Sequence, residues 1–223
     1  MAEAKGLPAE ELRAISDRVL QFSEADHCRV RINSGWRGYT RVATNRITSA
    51  GGSDSTSVNI TSIFGKRVAS VGTNRLDDSD LLNAVRRSEQ MARLVPENPE
   101  YLPELGPQRY QSNAAYYPET GELEPATRAE AAAIAIDRAN TAGQIVSSYM
   151  DVRAGISSIG TSNGLFGSHS STAVAYTLTS RSPDGLQSGW AGDEANNWNN
   201  IESQRIADDA VRKCRDWRKT PLD

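Results

Sequence analysis

Apolar residues recur at helical spacing near the start of the chain: Leu12, Ile15, Val19 and Phe22 lie three or four residues apart, with Glu10 and Glu11 at the front of the stripe. That pattern predicts an amphipathic helix over residues 9–23. From Cys28 the period changes to two. Cys28, Val30 and Ile32 alternate with Arg29, Arg31 and Asn33, the signature of a strand with one buried face. Ser34-Gly35 reads as a turn toward Tyr39 and Val42. An antiparallel meander is expected to continue through Asn45-Arg46-Ile47-Thr48, a Gly51-Gly52 loop, the alternating residues 57–63, a Gly65-Lys66 turn and residues 68–71. Asp77, Asp78 and Asp80 then stand at the front of a helix over residues 79–94, where their charge complements the macrodipole.

The next stretch breaks every period. Pro96, Pro99, Pro103, Pro107, Pro118 and Pro125 interrupt it, alongside Tyr101, Tyr110, Tyr116 and Tyr117, so it is read as a crossing linker. A linker this rich in tyrosine is expected to lie against the protein surface, because a free tether favours small polar residues.

Beyond it the first pattern returns. An alanine-rich helix is expected over residues 128–142, with Ile136-Asp137-Arg138-Ala139 echoing Ser16-Asp17-Arg18-Val19. A strand follows over residues 152–159, and Gly160-Thr161-Ser162-Asn163-Gly164-Leu165 stands where Ala43-Thr44-Asn45-Arg46-Ile47 stood. Ser171–Thr177 matches Ser55–Thr61, and each is followed by a turn, Pro183-Asp184-Gly185 against Gly65-Lys66. A closing helix over residues 201–217 completes the second copy. The expected organisation is a first repeat over residues 1–94, the linker over 95–127 and a second repeat over 128–223. The fold class is α+β: two helix-meander-helix repeats forming antiparallel sheet, with helices packed on one face.

Composition narrows the function classes. The net charge is −3 and the pI near 5.5, with basic residues spread among acidic ones, which argues against nucleic acid as a partner. No window approaches the ~20 apolar residues of a membrane span, and the first residues have no apolar signal core. Cys28 and Cys214 form no C-x-x-C pair and are expected to be reduced, buried thiols of a cytoplasmic protein.

Two histidines limit any catalytic scheme. His27 and Cys28 are neighbours on a strand and point to opposite faces, so a shared metal is disfavoured against a solvated histidine beside a core thiol. His169, between Ser168 and Ser170, belongs to turn chemistry rather than a triad. No catalytic or metal-ligating residue is assigned. Trp190, Asp193, Glu194 and Trp198 form an aromatic and acidic corner, placed in a loop. Two readings of that corner stand: an interaction surface, or the more ordinary one of aromatics packing the last helix onto the sheet.

Several segments together resemble a known family. They are Ala43-Thr44-Asn45-Arg46-Ile47-Thr48, Gly65-Lys66-Arg67-Val68-Ala69, the acid-capped helix ending in Met91-Ala92-Arg93, Pro96-Glu97-Asn98-Pro99, Thr161-Ser162-Asn163-Gly164-Leu165 and Ser188-Gly189-Trp190. In this order and spacing they are similar to the N-terminal region of the TldD/PmbA metallopeptidases, also called modulators of DNA gyrase. The resemblance implies a noncatalytic N-terminal region of a subunit that acts in proteolysis of peptides or unfolded protein. Members are about twice this length, with zinc held by an HExxxH helix beyond this region in the TldD type and lacking in the PmbA (TldE) type. No His-Glu pair occurs here, so no zinc ligand carries over, and a fragment or a short relative is expected. As partners the resemblance implies a second TldD/PmbA-type subunit, in a homodimer or heterodimer, and a peptide substrate for the assembly. The alternative is a standalone protein-binding or assembly module.

Overall fold

Four of the six strands run 16 to 19 residues, about three times the ordinary length, and that sets the architecture. The structure is a computed structural model and describes residues 5–111 and 113–216. Its order is α1 (Ala9–Phe22), β1 (His27–Ala43), β2 (Arg46–Phe64), β3 (Arg67–Thr73), α2 (Asp78–Leu94), α3 (Pro118–Gly121), α4 (Pro125–Thr141), β4 (Ile145–Thr161), β5 (Phe166–Arg181), β6 (Ser188–Ala195), a 3-10 turn (Trp198–Asn200) and α5 (Ser203–Arg215). The helix, three strands and helix of the first half thus recur in the second. All six strands form one antiparallel sheet in the order β3-β2-β1-β4-β5-β6, with β3 and β6 at its edges. Among the described residues no helix is long and apolar enough to cross a membrane.

By its internal contacts the chain forms two units. One holds the residues up to Trp36, Asp54–Ala114 and Gly155–Ser170; the other holds Arg37–Ser53, Ala115–Ala154 and the residues from Ser171. Each unit therefore draws strands from both halves of the sequence. In the first, the α1 stripe of Leu12, Ile15 and Val19 and the α2 residues Leu81, Ala84 and Val85 bury against Cys28, Val30, Ile32, Val58, Ile60, Val71 and Ile156. Asp77 caps α2 by accepting a hydrogen bond from the Asp80 backbone N–H. In the second, α4 and α5 lie over Val146, Met150, Val152, Val174, Tyr176 and Leu178, all buried. The Tyr176 hydroxyl donates to the Ala131 carbonyl at 3.1 Å.

Three expectations from the sequence are corrected. Ser34-Gly35 is no turn, since β1 runs through it. A Cβ on Gly155 would sit 2.6 Å from the Ser34 carbonyl oxygen and 2.9 Å from the Gly35 Cα, so these glycines allow close backbone approach. Gly51-Gly52 is no loop either but lies within β2. The Tyr39 ring covers Gly51, 3.0 Å from where its Cβ would be, an aromatic side chain shielding a strand glycine. The first hairpin turns at Thr44 and Asn45, both with positive φ (52° and 57°), as a two-residue primed turn requires. The Asn45 amide holds that turn by donating to the Gln144 carbonyl at 2.9 Å. Lastly, Asp193 and Glu194 lie on strand β6 rather than in a loop.

Candidate functional site

In the first unit the strand face opposite the helices is polar, because each position flanking a core residue of β1 carries Arg or Asn: Arg29, Arg31, Asn33. The segment after α2 is fastened across this face. Glu104 pairs with Arg29 at 3.0 Å, its carbonyl accepts from the Asn163 amide at 2.7 Å, and the Leu105 carbonyl accepts from the Thr161 hydroxyl at 3.1 Å. Farther along, the Tyr110 ring lies over Gly167, 2.7 Å from where a Cβ would stand.

Between this segment and the strands lies a cavity of about 640 Å³. Arg31 and Asn33 of β1, Ser157 and Ile159 of β4, His169 of β5 and Tyr110 of the crossing segment line it. Among the described residues no Asp or Glu does. Arg29 is neutralised by Glu104, whereas among the described residues Arg31 has no ion pair. The site therefore combines one free cation with neutral donors and acceptors, and it suits a ligand bearing an acceptor oxygen or a negative charge.

Of the residues singled out in the sequence, Trp190, Asp193 and Glu194 come from edge strand β6 and Trp198 from the 3-10 turn after it. They do not form one surface. Trp190 is 57% exposed, on the strand positions shared with Glu194, and its backbone carbonyl accepts from Lys213 of α5 at 3.0 Å. Asp193 points the other way and pairs with Arg205 of α5 at 2.6 Å. The Trp198 backbone N–H donates to the Thr120 hydroxyl at 2.7 Å. Trp190 is not the packing aromatic that the ordinary reading expected; Gly189 and Ala191 occupy the buried positions beside it.

His27 and Cys28 do diverge. Cys28 is fully buried, while the His27 Nδ1 is buried without a hydrogen-bond partner rather than solvated. Among the described residues no three of His, Cys, Asp and Glu are grouped as metal ligands, so the residues present do not fit a zinc centre.

Burial pushes the Cys28 thiol up to about 11 from its ordinary 9.0, reinforced by Glu89 and Glu104 and opposed by a hydrogen bond with Ser23. Because the folded value is the higher, the neutral thiol's contribution is complete below pH 9 and is lost as pH rises through 11. At about 1.4 kcal/mol per pH unit this amounts to roughly 3 kcal/mol. Cys28→Val is expected to flatten the alkaline limb of stability over that window in urea melts. A limb of unchanged slope would show that another group governs it.

Residues 28–92 match the family model described as PmbA/TldA metallopeptidase domain 1. The fold is similar to that of TldE from Thermococcus kodakarensis, at 17% identity and a TM-score of 0.76 over 93% of this chain and 47% of that one. It is also similar to a proposed modulator of DNA gyrase from Thermotoga maritima, at 13% identity and a TM-score of 0.78 over 91% of this chain and 47% of that one. A third, from Bacteroides thetaiotaomicron and described in the same way, gives 16% identity and 0.75 over 92% and 49%. The chain thus spans about half the length of each of these structures. No curated protein sequence matches it.

Proposed function

We propose, taking residues 28–92 as the first domain of the PmbA/TldD metallopeptidase family, that the chain is the noncatalytic N-terminal region of a TldD/PmbA-type zinc-peptidase subunit. Its role is to shape the access of extended peptides and to contact a second subunit. The observation that carries this reading is the helix-free strand face of the first unit, with a groove in which, among the described residues, Arg31, Asn33 and His169 have no side-chain partner. A polar, concave face beside strands can take an extended chain. Zinc and the attack on the peptide bond would belong to residues outside this chain.

Amide hydrogen exchange with and without an unfolded, reduced and alkylated polypeptide tests the role. Slowed exchange in β1, β4 and β5 of the first unit is expected. Unchanged exchange at saturating polypeptide would remove it.

A second reading, an assembly module without a part in peptide handling, is favoured by Trp190, whose 57% exposure on edge strand β6 suits strand addition by another chain. Light scattering separates the two. Stable self-association that Trp190→Ser abolishes, with no exchange protection by polypeptide, would favour the module.

A further inference from the structure

The groove of the first unit has a charge of one sign, and this defines its ligand more closely than the fold does. Arg31 is a permanent cation without an ion pair among the described residues, standing two residues from Asn33 on the same face of β1. The two side chains are thus about 7 Å apart. His169 lies across the groove on β5, Ile159 supplies an apolar wall, and among the described residues no carboxylate lines the cavity. Among the described residues the side chains of Arg31, Asn33 and His169 have no hydrogen-bond partner within the chain, while the neighbouring Arg29 is held by Glu104 at 3.0 Å.

A guanidinium presents a planar fork of donors that matches a carboxylate through two parallel hydrogen bonds. Phosphate sites instead recruit clusters of cations, and among the described residues one arginine stands here. Nucleic acid requires several phosphate contacts, which a lone arginine in a chain of net charge −3 does not offer. A volume of about 640 Å³ falls in the range of about 300–1,000 Å³ of ligand pockets and admits a short peptide segment.

We propose that this groove is a carboxylate-recognition site for peptides, in which Arg31 takes the carboxylate, Asn33 and His169 bind alongside it, and Ile159 and Tyr110 flank the adjoining residue. The inference rests on the peptide-access reading above and adds the ligand's chemical class. The carboxylate could come from the peptide's C-terminus or from an acidic side chain.

The test is calorimetric titration of the full chain with three acetylated hexapeptides of Ala, Ser and Leu. One is a free acid, one its C-terminal amide, and one the amide with an internal Glu. The free acid is expected to bind at least tenfold more tightly than the plain amide. Arg31→Gln, at an exposed position and with an unchanged melting temperature as its folding control, should erase that preference. Tight binding of the Glu-containing amide as well would assign the site to carboxylates of either source. Equal binding of acid and plain amide, or a preference that survives Arg31→Gln, overturns the carboxylate site but leaves peptide access standing. If none of the three binds at millimolar concentration, the site and the access reading fall together.

Discussion

Gly189→Ala is expected to destabilise the protein by about 3 kcal/mol, the upper range for forcing extra volume into a packed interior. For a chain of this size that corresponds to a fall in Tm of roughly 6–12 °C. Gly189 occupies a helix-facing position of β6, opposite Ser180 of β5. A Cβ there would stand 2.2 Å from the Ala210 carbonyl oxygen and 2.4 Å from the Cys214 nitrogen. Both are backbone atoms of α5, so no side chain can rotate away and the helix itself must lift. Ile206, Ala207, Ala210 and Cys214 form the buried stripe of that helix, and lifting it loosens all four. Gly192 on the same strand is the control: its Cβ would meet the Trp190 ring at 3.0 Å and the Thr177 methyl at 3.1 Å, groups that can shift, and the backbone only at the Tyr176 carbonyl oxygen, 3.1 Å away against 2.2 Å at Gly189. Circular-dichroism melts should show Gly192→Ala losing less than a third as much. Equal losses at both positions would refute close helix-strand approach as the cause.

That close approach was hidden in the sequence for a definite physical reason. A glycine in a polar run has two structural uses, turning and making room, and local pattern favours turning. At Ser34-Gly35 and Gly51-Gly52 the second use holds, and the atoms that decide it, Gly155 and Tyr39, lie on other segments of strand. Strand β6 was missed similarly, because Gly189, Gly192, Asp193 and Glu194 have poor strand propensity and pairing with β5 overrides it. The elements whose stabilisation is local were legible. The α1 stripe, the Asp77 cap and the alternation of Cys28, Val30 and Ile32 appear where their periods place them. The groove was half legible: the alternation in β1 already put Arg31 and Asn33 on the outward face, but Ser157, His169 and Tyr110 reach them only through strand order and the fastening of the crossing segment. The aromatic and acidic corner failed as one surface because period two on β6 sends Trp190 and Asp193 to opposite faces.

Arg128→Ala is expected to have a still larger effect, about 4 kcal/mol, read as a drop in the urea midpoint. Arg128 lies in the first turn of α4 and is 2% exposed, among the largest fully buried side chains of the protein. Its guanidinium donates to the Leu123 carbonyl at 2.8 Å, just before the helix, and to the Thr40 hydroxyl of β1 at 3.4 Å. Burial pulls its pKa below the ordinary 12.5, which marks the desolvation that the folded state must offset. Truncation to alanine removes the long side chain and leaves a cavity worth about 2–5 kcal/mol. It also strands a buried carbonyl, at about 1–3 kcal/mol, and partial relaxation keeps the sum near the middle of these ranges. Arg128→Met separates the two contributions, since it refills the volume but donates nothing. If the hydrogen bonds to Leu123 and Thr40 stabilise the fold, the methionine variant should lose about 1–3 kcal/mol and lie between alanine and the parent. A methionine variant as stable as the parent would mean that desolvation cancels those bonds, as for many buried charges, and that Arg128 acts there as volume alone. A methionine variant no better than alanine would place the whole effect in the guanidinium and its acceptors.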